Sequence, residues 1–138
     1  MEKERIYYGV VKTGRGGAVK EMLKPGGLEG FQKLTGLEII PVTLNIQMTE
    51  PLDTGILNYL EFADVGWEFD PAAQGINYNG ETGVYYHRVT ITREYPGCLL
   101  VFTWVTDIHH NAELVSPRHL RTVLNLSDGD IIAFTLNQ

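Results

Sequence analysis

The side chains best placed for chemistry in this sequence lie in three clusters. Within Ile40-Pro41-Val42-Thr43-Leu44-Asn45-Ile46, the hydroxyl of Thr43 and the amide of Asn45 stand two residues apart in an apolar run. In a strand both point to one side, which is then polar and able to face a ligand, while Leu44 and Ile46 face the core. The same pattern fits a half-buried strand whose polar residues meet only water. A second cluster is Thr13-Gly14-Arg15-Gly16-Gly17-Ala18, with Lys12 and Lys20 beside it. Its glycines leave backbone N–H groups unshielded and permit positive φ, the conditions for a nest that cradles phosphate, or for an ordinary flexible turn. It matches neither the P-loop nor the full dinucleotide fingerprint. The third cluster is Arg118 and Arg121, three apart after Ser116-Pro117, an N-cap side chain followed by proline at a first helical position. Near a helix start they suit an anion; a solvated charge pattern is the plainer alternative.

The remaining candidates are read as structural. His109-His110 comes shortly before Glu113, yet adjacent histidines face opposite ways in a strand, and only His109 and Glu113 align in a helix. No H-E-x-x-H arrangement exists, so the pair is expected in a solvent-exposed loop rather than on zinc. Tyr85, Tyr86 and Trp104 are expected in the core, although one ring is able to stack on a flat ligand. The chain has one cysteine, Cys98, which has no internal disulfide partner and sits beside Leu99-Leu100-Val101 as a small buried hydrophobe.

The elements that must position these groups are mostly strands. Ile6 to Val11 is rich in β-branched and aromatic residues and runs straight into the glycine cluster. Pro25-Gly26-Gly27 breaks the chain, and Leu28, Phe31 and Leu34 recur at helical spacing before Gly36. The Thr43/Asn45 strand follows, then Tyr59 to Phe62 as the best strand in an acidic stretch, then a turn-rich loop from Ala72 to Gly83. Val84 to Thr92 and Leu99 to Val105 are predicted strands, joined as a hairpin across Tyr95-Pro96-Gly97. Glu113 to Val115 is a short strand, Leu120, Val123 and Leu124 give the helix after Ser116-Pro117 a buried face, and Leu126-Ser127-Asp128-Gly129-Asp130 turns into a last strand, Ile131 to Leu136. Six or seven strands with two short helices predict a mostly antiparallel closed barrel rather than a βαβ sheet.

The 138 residues suit a single domain spanning 1–138, and 43% hydrophobic with 20% charged residues is ordinary for a soluble globular protein. No run approaches a membrane span, and the charged start of the chain shows no secretory signal, so a cytoplasmic location is expected. A net charge of -6 argues against a general nucleic-acid binder. Seven of the eleven basic residues lie at or before Lys33, and eight acidic residues fill the gap before Arg88. No protein partner is evident.

Taken in order, four segments resemble the CTP-dependent riboflavin kinases of archaea: Gly14 to Val19, Val42-Thr43-Leu44-Asn45, Glu113 through Arg121, and Leu126-Ser127-Asp128-Gly129-Asp130. The similarity runs from Tyr8 to Phe134. It implies a six-stranded cradle-loop barrel of the riboflavin-kinase-like type with two short helices. It also implies a phosphotransferase that moves the γ-phosphoryl of CTP to the 5′-hydroxyl of riboflavin, giving FMN and CDP. Carried over by position, Gly14, Arg15, Gly16, Gly17, Ala18 and Val19 bind the nucleotide together with Arg118, His119, Leu120 and Arg121. Thr43 and Asn45 hold Mg²⁺, and Glu113 contacts the flavin. Magnesium takes hard oxygen ligands, often only one or two from protein, and phosphoryl transfer needs positioning and charge neutralisation above all. No general base stands out, so the catalytic role stays unassigned. The chain departs from the family at Gly17 and Ala18, where the family loop has Glu and Gly, at Val42 for a glycine, and at Val105 for a flavin-contacting threonine. A Cβ at Ala18 is expected to crowd a positive-φ backbone. These departures define the alternative, a flavin- or nucleotide-binding module on the same barrel that has lost turnover.

Overall fold

The computed structural model describes residues 4–14 and 16–137. Its core is a closed barrel of six antiparallel strands: β1 (Ile6–Lys12), β2 (Leu44–Met48), β4 (Gly83–Ile91), β5 (Tyr95–Phe102), β6 (Asn111–Val115) and β7 (Ile131–Leu136). They run in the order β4-β5-β6-β2-β1-β7, and β7 returns to β4 through Val89↔Leu136 to Ile91↔Phe134. A short β3 (Asn58–Glu61) pairs with the opposite end of β4, beyond the reach of β7. Alternation places the walls. In β1, Tyr7, Gly9 and Val11 point inward and Ile6 and Tyr8 outward; in β2, Leu44, Ile46 and Met48 point inward. The expectation that Leu44 and Ile46 face the core holds.

β5 is buried on both faces. Leu99 and Val101 fill the barrel, whereas Cys98, Leu100 and Phe102 lie on its outside under a second apolar layer. That layer is made by α1 (Gly17–Leu23), α2 (Gly27–Thr35) and the excursion that follows β3, which contributes Phe62, Trp67 and Phe69. Phe31 of α2 is buried there as its spacing predicts, and Gly36 ends α2 in the left-handed region at φ 69. Arg88 of β4 donates to the Thr35 carbonyl at 3.1 Å, tying that helix end to the barrel. Cys98 is buried as expected, and its burial pushes the thiol up to about 12.

Three local expectations change. The β4–β5 turn sits at Thr92-Arg93, with φ 50 and 63, and not at Tyr95-Pro96-Gly97. Glu94 N–H closes it on the Ile91 carbonyl at 3.0 Å. Gly97 instead serves packing, since a Cβ there would fall 2.7 Å from Ile91 Cδ1 and from the Val115 carbonyl. The helix expected from Ser116-Pro117 is a single turn, α3 (Leu120–Val123), because Ser116 makes a bend of its own, its hydroxyl accepting from Arg118 N–H at 3.1 Å and donating to the Pro96 carbonyl at 2.7 Å. Third, the glycine cluster is not all loop, for α1 begins at Gly17. Among the described residues no helix is long and apolar enough to cross a membrane.

Candidate functional site

The helix-covered outer face of the barrel carries a lateral row of side chains contributed by four strands. Lys12 of β1 is opposite Asn45 of β2, Asn45 is opposite Glu113 of β6, and Glu113 is opposite Leu100 of β5. Neighbouring strands lie about 5 Å apart, so the row spans roughly 15 Å. Thr43 shares the outward side with Asn45, and its hydroxyl donates to Glu113 Oε1 at 2.8 Å. The sequence reading that Thr43 and Asn45 make one polar side is therefore met, and the structure adds what they meet.

A cavity of about 740 Å³ opens over this row. Its polar end is Lys12, Asn45 and Glu113; its apolar end is Leu100, Phe102, Trp104 and Val105. The Trp104 ring is stacked between Phe69, 4.0 Å away, and Phe102, 4.8 Å away. A neighbouring, more apolar hollow of about 430 Å³ shares Ala18, Phe102 and Trp104 with it. Two loops wall the cavity. One is the glycine segment, whose Gly14 presses so closely on β2 that a Cβ there would fall 2.2 Å from Asn45 Cγ. The other is Gly75-Ile76-Asn77, held by the Gln74 amide, which donates to Glu21 Oε1 of α1 at 2.8 Å.

The residues expected to bind nucleotide divide. Gly14, Gly16, Gly17 and Ala18 line the cavity, while Arg15 lies outside the described residues. Gly16 alone among them takes a positive φ, 75. Ala18 does not crowd such a conformation, because it sits inside α1 with a right-handed backbone and its methyl is buried in the outer apolar layer. Val19 is half-buried on α1 without lining the cavity. Arg118, His119, Leu120 and Arg121 do not line it either. The Arg118 guanidinium lies 5.5 Å over the Tyr95 ring, and Leu120 is buried in the barrel core. His119 Nδ1 is 3.0 Å from the Thr122 hydroxyl. Arg121 donates to the Lys12 carbonyl at 3.2 Å and to Asp128 Oδ1 at 2.7 Å, beside the cavity's edge. Asp128 also accepts from the Thr13 hydroxyl at 2.5 Å. The Thr13 hydrogen bond first, and Arg121 second, hold its carboxyl below the ordinary carboxylate range.

Thr43, Asn45 and Glu113 offer only oxygens and an amide nitrogen, a donor set that fits magnesium and not zinc. Among the described residues no group of three or more His, Cys, Asp or Glu is arranged to hold a metal. A hard cation here would draw on neutral side-chain oxygens and on the phosphates of its ligand, as magnesium commonly does. His109 and His110 stay apart from the site, with His109 Nδ1 at 2.9 Å from the Leu52 carbonyl and His110 Nδ1 at 3.0 Å from Asp107. Val105 lines the apolar end; Thr103 faces away, bonded to Gly83 N–H and the Glu81 carbonyl. Asn111 and the Gly75–Asn77 wall escape sequence reasoning. Asn111 was within reach of it, being two residues before Glu113 and so on the same face of β6.

Against known proteins, a family model labelled CTP-dep_RFKase, and described as a domain of unknown function (DUF120), matches residues 11–136. No curated protein matches the chain.

Proposed function

The chain belongs to the CTP-dependent riboflavin kinase family, and from that premise we propose that it transfers the γ-phosphoryl group of CTP to the 5′-hydroxyl of riboflavin. The observation that carries the reading is the two-ended cavity, in which a polar row of Lys12, Asn45 and Glu113 adjoins an apolar end of Leu100, Phe102, Trp104 and Val105. The reaction joins substrates of those two characters, a highly charged polyphosphate and a flat, largely apolar ring with a hydroxylated tail.

The riboflavin oxygen attacks the γ-phosphorus, the bond to the β,γ-bridging oxygen breaks, and its electron pair leaves with CDP. The hydroxyl proton passes to water. Such a transfer needs its partners in line and the leaving charge neutralised, and little else from the protein. The glycine segment and Asn45 pack against each other at the polar end, where the phosphates would rest. Thr43 and Asn45 would hold Mg²⁺, which when bound supplies charge neutralisation on the phosphates. Glu113, on the same face and hydrogen-bonded by Thr43, would orient the ribityl tail between the two ends. Trp104 and Val105 would meet the flavin ring.

The test is a chromatographic assay for FMN with riboflavin, Mg²⁺ and either CTP or ATP. FMN formed with CTP and not with ATP is the expected result. No FMN with either nucleotide, from folded protein that still binds CDP, would replace the kinase by a binding module. Exchange of Gly17 and Ala18 for Glu and Gly would then be the variant to assay.

A further inference from the structure

Among the described residues, Lys12 and Glu113 are the only charged side chains that line the cavity, and Lys12 is the only cation of the two. Two described basic groups near it, Arg118 and Arg121, are committed elsewhere. Arg118 lies over Tyr95, and Arg121 is bound to Asp128. We propose that Lys12 is a polyphosphate-binding residue that neutralises the β,γ-bridging oxygen as the phosphoryl group departs. The proposal rests on the kinase reading for its reaction, though not for its binding chemistry.

Three observations support it. Lys12 ends β1 directly beside Asn45, so its side chain rises from the row on which Gly14 closes. Its ammonium donates to Asn111 Oδ1, and the Asn111 amide nitrogen is spent on the Thr106 carbonyl at 2.6 Å, which fixes the oxygen toward Lys12. An ammonium has three donors, so a single neutral acceptor leaves two for a ligand. Last, Arg5, Lys24 and Arg121 each pair with a carboxylate, whereas among the described residues Lys12, half-buried, pairs with none. A half-buried cation held by an amide is under-compensated until an anion arrives. Were Lys12 only a tie between β1 and the start of β6, a neutral donor would serve as well.

That contrast sets the experiment. Lys12→Gln keeps a donor for Asn111 and removes the charge; Lys12→Arg keeps the charge. Calorimetric titration with CDP and with inorganic tripolyphosphate is run on both variants and on the unaltered protein, beside the FMN assay. The Gln variant is expected to lose about 10- to 100-fold in affinity for both probes, the scale of a charge-assisted contact. Its kcat/KM for CTP should fall at least as far, with KM for riboflavin unchanged, and the Arg variant should recover most of each loss. Unchanged affinity in the Gln variant, or equal losses in both, would overturn the proposal. Should the unaltered protein form no FMN, the kinase reading falls while the tripolyphosphate titration still decides the role of Lys12.

Discussion

At the scale of single residues, the site depends on side chains whose partners lie far away in the chain. Asn45 is held under Gly14, and Thr43 is spent on Glu113, so neither is an idle polar residue on a strand. Both are only half-buried, and removing either should cost the fold about 1 kcal/mol. Asn45→Ala and Thr43→Ala should instead depress Mg²⁺-dependent FMN formation by at least the order of 10- to 100-fold seen for changes around metal ligands. Turnover and thermal melting measured on the same preparations separate the two effects. Unchanged turnover in both variants would remove the metal assignment. Thr43 and Asn45 were legible because a period of two needs only neighbours to be seen. Their closure by Gly14 was not, since nothing local says which strand a glycine loop will fold against.

At the scale of elements, the glycine segment is held by the turn that precedes β7. Asp128 accepts from Thr13 and from Arg121, and Arg121 also holds the Lys12 carbonyl, so one carboxylate fixes the start of the loop. Its pKa is lowered in the fold, so its contribution is present above the ordinary carboxylate value, about 4, and is lost as pH falls through the lowered value. Asp128→Asn should melt below the unaltered protein at pH 7, and the gap should close as the pH is taken well below 4. A gap that persists unchanged at pH 2 would show that the charge is not what anchors the loop. The Leu126 to Asp130 turn was readable from its composition, but its role as the clamp on a segment more than a hundred residues away was not. The displaced β4–β5 turn teaches the same lesson, since the Pro96-Gly97 signal yielded to the tight packing of Gly97 against Ile91 and Val115.

At the scale of the whole molecule, closure of the barrel keeps the row of site residues in register. β7 is the closing strand, paired to β1 on one side and β4 on the other, and Phe134 at the seam stacks on Tyr7 of β1 at 5.6 Å. Phe134→Ala should therefore lower stability by about 3–5 kcal/mol in urea denaturation, a large part of what a domain of this size has. A loss below 1 kcal/mol would mean that the seam is not a stabilising part of the barrel.

By itself the sequence determined the class of fold, most of the strands, the inward Leu44 and Ile46, the buried Cys98 and the polar side made by Thr43 and Asn45. Those features follow from alternation, turn composition and burial preference, which act within a few residues. Tertiary structure alone decided that Lys12, Asn45, Glu113 and Leu100 form one row, that Gly14 closes on Asn45, and that Arg118 and Arg121 do not line the cavity. It also turned Gly17 and Ala18 from loop into helix. Each of these depends on register between distant strands or on packing against a layer the local chain does not contain, and a one-residue slip of a strand would reverse every face.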